Sequence, residues 1–249
     1  MLKLHKDMKR QGPGDNESTK RALSYLNLEN KEVSILDIGC GPGMQTIELA
    51  KNINGKVIAL DFMKHFLDEL EESAKYENVH ENIETIEGSM FELDKYFKEN
   101  SFDVVWVEGA IYIMGFENGL KSIRPLVKEN GYLVASEMTW LKEDAPTELK
   151  EFWNLGYPTM QDFEGNKSIL ENSGYELIDY FTIPESSWWN NYYNPLKERC
   201  DKFKLECSDD NDLMNLIKEN EFEMDLYRKY SDYYGYVFYI MKKTNSNNG

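Results

Sequence analysis

Ile35-Leu36-Asp37-Ile38-Gly39-Cys40-Gly41-Pro42-Gly43 is the stretch of this chain that decides its fold. Its first residues have the composition of a buried strand, and glycines at every second position then let the backbone turn sharply and approach a ligand closely. From Met44 to Ile53 the apolar residues have helical spacing. A glycine loop between a buried strand and a helix predicts a site for a polar or anionic group.

Strand-like and helix-like segments alternate along the chain around this loop. Short apolar runs predict strands at residues 33–38, 56–60, 83–86, 102–107 and 131–137. Amphipathic segments predict helices at residues 18–28, 44–53, 62–75, 91–97 and 117–128. Such alternation is typical of βαβ units, so the sequence predicts an α/β fold with a parallel sheet.

The rest of the chain predicts two more strands, at residues 175–183 and 234–241. Residues 184–233 between them are mostly helical and too many for a hairpin loop, which predicts a helical cap inserted before the last strand. We expect a single domain over residues 1–249, with residues 1–30 as an N-terminal helical lid segment. The polar ending from residue 244 has the composition of a frayed tail.

The composition argues against several classes of partner. Lys and Arg number 28 against 45 Asp and Glu, a formal net charge of −17, so a nucleic-acid backbone would be repelled. The chain has no run of roughly 18 apolar residues, as a membrane helix needs, and its start lacks the apolar segment of a signal peptide. The cysteines and histidines match no metal-ligand spacing. We therefore expect a cytoplasmic protein without a membrane span or a metal.

The glycine spacing disfavours two other nucleotide-binding loops. A nicotinamide dinucleotide fingerprint reads G-x-G-x-x-G/A, but Met44 stands at its last position. A Walker loop needs G-K-S or G-K-T at a fixed distance from its first glycine, and this loop has neither. Dehydrogenases, kinases and NTPases are therefore disfavoured.

The stretch quoted above resembles the first motif of the class I S-adenosylmethionine-dependent methyltransferases, hhD-h-G-x-G-x-G. The resemblance implies a Rossmann-like, seven-stranded methyltransferase sheet that is mostly parallel, with an antiparallel last strand and helices on both faces. It also implies S-adenosyl-L-methionine as the cofactor. The residues that it assigns to the binding loop are Asp37, Gly39, Cys40, Gly41 and Gly43.

Two more landmarks of that family follow the second and third strands. Its acidic residue that binds both ribose hydroxyls corresponds to Asp61, which Phe62 and Met63 follow. Its adenine-reading Gly-Asp-hydrophobic step corresponds to Gly88-Ser89-Met90. Ser89 replaces the carboxylate, and it is either an adenine contact or a plain turn residue. Met90 would still pack on the ring.

Two further segments are similar to those of small-molecule methyltransferases of the ubiquinone and menaquinone type. They are Arg10-Gln11-Gly12-Pro13-Gly14 and Glu108-Gly109-Ala110-Ile111-Tyr112. The first would fold over the cofactor, with Arg10 paired to the methionine carboxylate or, alternatively, solvated. In the second, we expect Glu108 to take a proton from the acceptor or to orient it, and Tyr112 to hydrogen-bond it. A cofactor contact or a structural bond is the alternative for Glu108.

Aromatic residues predict the nature of the acceptor pocket. Trp140 follows the fifth predicted strand, and Trp188 and Tyr192 lie in the predicted cap. Lining a pocket, they would suit a flat, apolar or cationic acceptor. The alternative is that they pack the cap onto the body.

The sequence thus favours a methyltransferase that acts on a small organic acceptor by in-line displacement, which mainly requires alignment and desolvation. Within the enzymes, the alternative is a quinone-pathway C-methyltransferase. Outside them, it is a cofactor-binding protein without transfer activity. A small-molecule acceptor is the expected partner, and a homodimer is compatible with the sequence. The acceptor atom stays open.

Overall fold

A single sheet organises the protein, whose computed structural model describes residues 2–28, 32–207 and 209–244. The strands are β1 (Val33–Ile38), β2 (Gly55–Asp61), β3 (Ile83–Glu87), β4 (Phe102–Val107), β5 (Val127–Trp140), β6 (Gln161–Asp162), β7 (Tyr175–Thr182) and β8 (Tyr234–Lys243). The α-helices are α1 (Leu2–His5), α2 (Asn16–Ser24), α3 (Met44–Asn52), α4 (Lys64–Tyr76), α5 (Leu93–Tyr96), α6 (Phe116–Ile123), α7 (Thr147–Gly156), α8 (Phe163–Asn172), α9 (Glu185–Trp188), α10 (Asn194–Glu206) and α11 (Asn211–Tyr230). Of the predicted tail, residues 245–249 lie outside the described residues.

The order of strands across the sheet is β3-β2-β1-β4-β5-β8-β7, and the short β6 pairs with the end of β5. β8 runs antiparallel to both β5 and β7, and the other neighbouring strands are parallel. The prediction of a seven-stranded, mostly parallel sheet with an antiparallel last strand is confirmed, with β6 as an addition. Because the chain crosses from one side of β1 to the other, the carboxyl ends of β1 and β4 open a crevice.

Alternate residues of the central strands face two separate cores, since successive side chains of a strand point to opposite faces. Ile35 and Trp106 belong to a core that includes residues of α2, α3 and α11. Leu36 and Val105 belong to a core that includes residues of α6 and α8. All four side chains are fully buried. Helices therefore cover both faces of the sheet, as predicted.

Two helix ends predicted from the sequence are wrong, and the first is that of α2, which ends at Ser24 and not at residue 28. The amphipathic pattern over residues 117–128 predicted a helix, but α6 ends at Ile123 and β5 begins at Val127. Pro125 contributes to the difference, because it lacks the backbone N–H donor that would continue the α-helix, and the chain passes through a short 3-10 turn at Arg124–Leu126 before β5. At its other end β5 continues to Trp140, which is therefore part of the sheet.

The N-terminal segment, residues 4–15, crosses the carboxyl edge of the sheet, and we call it the strap. Helices α9 and α10, and the helical turn Trp189–Tyr193 between them, contact it from one side. Nε of Arg199 in α10 donates to the carbonyl oxygen of Leu4 (2.6 Å), and the Asn191 side chain donates to that of Gly14 (2.8 Å). The described part of residues 184–233 is helical apart from the linking turns. Its role as a cap, and that of residues 1–30 as a lid, stay predictions.

Candidate active site

A cavity of about 520 Å³ opens at the carboxyl ends of the central strands, where β1 and β4 lie side by side. The strap, the glycine loop after β1 and the segments after β2, β3 and β4 surround it. The predicted site residues that line it are Arg10, Gln11, Gly39, Cys40, Gly41, Asp61, Phe62, Met63, Gly88, Ser89, Met90, Glu108 and Tyr112. The cavity thus brings together motifs that are far apart in the sequence.

The glycine loop presents its backbone to the cavity. Gly39 and Gly41 have φ angles of 70° and 54°, in the left-handed region that favours glycine. A Cβ atom on Gly39 would lie 2.7 Å from Cβ of Ala110. The loop can therefore contact the segment after β4 only because position 39 has no side chain.

Asp61 ends β2 and holds two turns that flank the cavity. Its Oδ2 accepts a hydrogen bond from the backbone N–H of Gly41 (2.8 Å), and its Oδ1 accepts one from that of Met63 (2.8 Å). Each carboxylate oxygen has about two acceptor positions, so both oxygens can take a further bond from a ligand. Asp61 therefore offers two oriented acceptor atoms to the cavity.

One wall of the cavity consists of apolar side chains that solvent can reach. Phe62 is 71% exposed and Phe91 is 68% exposed, and both line the cavity with Met90. Ser89 shapes this wall as a turn residue, since its Oγ accepts a hydrogen bond from the N–H of Phe91 (3.2 Å). Exposed aromatic rings on a concave surface are typical of a site for a flat, apolar group.

Glu108 follows β4 and anchors the elements around it. Its Oε1 accepts a hydrogen bond from Nη1 of Arg10 (2.9 Å), and its Oε2 accepts bonds from Oγ1 of Thr19 (2.9 Å) and Nε1 of Trp106 (3.1 Å). Its side chain is 4% exposed. Because protein donors already engage both oxygens, these contacts favour the structural alternative over the predicted role as a base.

Arg10 carries the strap across the cavity. While Nη1 binds Glu108, Nη2 donates to Oδ1 of Asn16 (2.9 Å). Gln11 donates to two backbone carbonyl oxygens within the strap and so stiffens it. Arg10 thus lines the cavity with Glu108 as its anionic partner, and its pairing with the methionine carboxylate stays a prediction.

Asp37 and Gly43 lie behind the glycine loop and are not among the residues that line the cavity, so their contact with a ligand stays a prediction. Asp37 is fully buried, its Oδ2 accepts a hydrogen bond from Oγ1 of Thr46 (2.6 Å), and burial raises its pKa to about 7. Gly43 has a φ angle of 87°, and a Cβ there would lie 2.2 Å from Cδ1 of Leu70. Asp37 therefore ties β1 to α3, and Gly43 lets α3 pack against α4.

The cavity is not lined by Trp140, Trp188 or Tyr192, the three aromatic residues that the sequence predicted for the acceptor pocket. Trp188 is 1% exposed, and its ring stacks on that of Tyr227 with the centroids 4.1 Å apart. Trp140 packs, partly buried, against the same core. The buried Tyr192 has its hydroxyl 3.2 Å from Nε2 of His5. For the two tryptophans these contacts favour the alternative that their rings pack the helices onto the sheet, and a role in acceptor binding stays a prediction.

The cavity also includes residues that sequence reasoning missed. They are Lys9, Gly12, Pro13, Pro42, Gln45, Leu60, Phe66, Phe91, Gly109, Ala110 and Ile113. All of them lie within a few positions of a predicted residue. Extending each motif by one helical turn or by one residue of a loop would have found them.

Neither a metal site nor a membrane helix occurs in the part of the chain that the structure describes. Within residues 2–28, 32–207 and 209–244, no three His, Cys, Asp or Glu side chains are grouped so that they could hold a metal ion. No helix of the same ranges is long and apolar enough to cross a membrane.

The chain is similar in sequence to known methyltransferases. A family model described as a methyltransferase domain matches residues 29–200. The demethylmenaquinone methyltransferase of Lactococcus lactis subsp. lactis is 35% identical over 108 residues, which cover 42% of this chain and 42% of that protein. The sterol 24-C-methyltransferase of Saccharomyces cerevisiae is 24% identical over 172 residues, which cover 65% of this chain and 44% of that protein. The chain therefore spans less than half the length of these two relatives.

The fold is also similar to that of solved structures. An S-adenosylmethionine-dependent methyltransferase from Geobacter sulfurreducens, solved with S-adenosyl-L-homocysteine, aligns with a TM-score of 0.82. The alignment covers 97% of this chain and 96% of that one at 16% identity, so the likeness concerns the fold alone. The family match over more than half of the chain, together with the strand order and the glycine loop after β1, makes this chain a member of the methyltransferase domain family, in the class I S-adenosylmethionine-dependent group.

Proposed function

We propose that this protein transfers a methyl group from S-adenosyl-L-methionine to a small organic acceptor by in-line displacement. The cavity at the glycine loop carries the proposal. It combines a backbone cradle at Gly39 and Gly41, two oriented acceptor oxygens on Asp61 and an exposed aromatic wall. A nucleoside joined to an amino acid offers matching groups: a flat ring, two neighbouring hydroxyls and a polar tail.

The residues that line the cavity have different chemistry, and each kind suits a different part of the methyl donor. Asp61 would accept hydrogen bonds from the ribose hydroxyls, and Phe62, Met90 and Phe91 would cover the adenine ring. The glycine loop would hold the amino-acid tail, since Gly39 and Gly41 line the cavity and a backbone without side chains lets a polar group approach closely. The strap would close over the ligand and exclude water.

The bound donor supplies a methyl group on a positively charged sulfur, which is already activated for displacement. The chain's own residues therefore need to align the acceptor and to keep water out. Tyr112 presents its hydroxyl from the segment after β4. Tyr112 is 41% exposed, but desolvation of its hydroxyl, followed by the charges of Glu223 and Glu137, raises its pKa. Its hydroxyl therefore stays protonated at neutral pH and acts as a hydrogen-bond donor.

Calorimetric titration with S-adenosyl-L-methionine and with S-adenosyl-L-homocysteine tests the donor site. Asp61→Asn replaces one acceptor oxygen with a donor group, so we expect it to weaken the binding of both compounds by at least about tenfold. Asp232→Asn is the matched control, because that side chain is 81% exposed. Failure of the wild-type protein to bind either compound would overturn the proposal.

Transfer is tested separately by measuring the release of S-adenosyl-L-homocysteine with a panel of amines, phenols, quinols and thiols. Turnover with a member of the panel supports the enzyme. Binding of the donor without turnover on any acceptor supports the alternative, a cofactor-binding protein without transfer activity.

A quinone-pathway C-methyltransferase is the second candidate. The identity of 35% with the demethylmenaquinone methyltransferase of Lactococcus lactis subsp. lactis favours it. Turnover of a demethylmenaquinone with a shortened side chain would support this candidate. Turnover of another acceptor class, without turnover of the quinol, would exclude it.

We also propose that the protein acts in the cytoplasm and not on nucleic acid. The formal net charge of −17 supports the second part, because it opposes binding to a phosphate backbone. A homodimer stays a prediction, which light scattering on the purified protein would test.

A further inference from the structure

A second group of polar side chains lies near Tyr112. Tyr112 lines the cavity at the glycine loop, which we call the donor cavity. Its ring contacts the ring of Tyr157 edge-on with the centroids 6.1 Å apart. Glu137 of β5 and Glu223 of α11 lie close enough to both Tyr112 and Tyr236 for their charges to raise the pKa of each hydroxyl, after the larger effect of burial. We call these five residues the acidic subsite.

One carboxylate oxygen of Glu137 lacks a hydrogen-bond partner within this group. Its side chain is 1% exposed, and its Oε2 has no hydrogen-bond partner among the described residues. The hydroxyl of Tyr157 contacts the carboxyl group and favours its charged form, but burial outweighs this contact and raises the pKa of Glu137 to about 8. Buried polar atoms in native proteins nearly always have a partner, and an exception needs an explanation. A donor group on a ligand would supply the missing bond.

The acidic subsite has no cation of its own in the part of the chain that the structure describes. No Lys or Arg contributes to the raised pKa values of Glu137 and Glu223, and Glu223 accepts a hydrogen bond from the hydroxyl of Tyr193 (2.9 Å). The buried carboxyl group of Glu137 and the half-buried one of Glu223 would bind a positively charged ligand favourably.

We propose that the acceptor carries a basic nitrogen and that Glu137 binds it as an ammonium ion, with Glu223 adding negative charge and the rings of Tyr112, Tyr157 and Tyr236 enclosing it. This inference rests on the proposed function, because the amine would lie beside the donor cavity across Tyr112. Glu137 is then the residue that selects amines over uncharged acceptors of the same shape. Ring faces add to the attraction for an ammonium group.

The test uses the full chain saturated with S-adenosyl-L-homocysteine, titrated with phenethylamine and with 2-phenylethanol as its uncharged counterpart. We expect the amine to bind more tightly than the alcohol. Glu137→Gln should weaken amine binding by at least about tenfold and leave the affinity for the alcohol and for S-adenosyl-L-homocysteine unchanged. Glu176→Gln, on an exposed position of β7, is the control and should behave as wild type.

A second measurement does not depend on the variant. Since Glu137 holds a proton at neutral pH, binding of an ammonium ion near pH 7 should release close to one proton, measured by calorimetry in buffers of different ionisation enthalpy. Equal affinities for amine and alcohol, an unchanged amine affinity in Glu137→Gln, or binding without proton release would each overturn the inference. The last result would indicate a protonated Glu137 that donates a hydrogen bond to the ligand. If the wild-type protein binds no S-adenosyl-L-homocysteine, the proposed function fails instead.

Discussion

Nη1 of Arg10 and Oε1 of Glu108 lie 2.9 Å apart, in a salt bridge whose side chains are only 8% and 4% exposed. The bridge joins the strap to the segment after β4, across the donor cavity. Asn16 and Thr19 hold its two ends in place. The position of the strap over the cavity therefore depends on a pair of residues that are 98 positions apart in the chain.

Arg10→Ala should lower the free energy of unfolding by about 3 kcal/mol, because it leaves the buried carboxylate of Glu108 without its cation. It should also weaken the binding of S-adenosyl-L-methionine, since the strap loses its main anchor. Urea denaturation and calorimetry measure the two effects. Lys64→Ala breaks an exposed pair with Asp68 and should change stability by less than about 1 kcal/mol. Equal losses in the two variants would contradict the role of the buried bridge.

Gly43→Ala should destabilise the protein by about 3 kcal/mol, because it combines a left-handed φ angle with a clash against Leu70. Gly12→Ala is the matched control, since a Cβ there has no atom within 4 Å. Adding Leu70→Ala to Gly43→Ala should cost less than the two single changes together, because it removes the clash. Thermal unfolding of the four variants checks this, and an unaffected Gly43→Ala would refute it.

Glu137 should make the stability of the ligand-free protein depend on pH. Burial raises its pKa from the usual 4.5 to about 8 in the folded state, so the folded protein keeps a proton that the unfolded chain has lost. The free energy of unfolding should therefore fall as the pH rises from about 4.5 to about 8, by up to about 1.4 kcal/mol per unit. Asp37, whose pKa burial raises to about 7, adds a decline of the same sign.

Glu137→Gln removes one of these two contributions. The variant should gain stability relative to wild type as the pH rises through the same window, and it should show no such gain below about pH 4. Urea titrations at stepped pH measure the difference between the two proteins. A difference that stays constant with pH would mean that Glu137 titrates normally in the folded state.

Trp188→Ala should lower the free energy of unfolding by about 3 to 5 kcal/mol, because the ring fills the core between the sheet and α11. Leu155→Ala, at a position that is 90% exposed, should change stability by less than about 0.5 kcal/mol. Urea denaturation compares them. A stable Trp188→Ala variant with impaired acceptor binding would instead restore the pocket role that the sequence suggested.

The donor site was predictable because its parts are local signals at strand ends. The glycine loop, Asp61 and Gly88-Ser89-Met90 each follow a short apolar run that the sequence marks as a strand. Parallel strands end at one edge of a sheet, so these residues had to come together once the alternation of strands and helices was recognised. Asp37 and Gly43 belong to the glycine motif, but the spacing of the motif does not show that they contact α3 and α4 behind the loop.

By itself, the sequence determined the α/β fold, the seven main strands and the edge of the sheet at which the glycine loop lies, because hydrophobic periodicity and glycine spacing are properties of neighbouring residues. Only the tertiary structure decided that Glu108 is engaged by Arg10, that Trp188 faces the core, and that Glu137 is buried with an unpaired oxygen. Each of these depends on contacts between elements distant in the chain. Burial and hydrogen-bond satisfaction arise from packing in three dimensions, which no local pattern encodes.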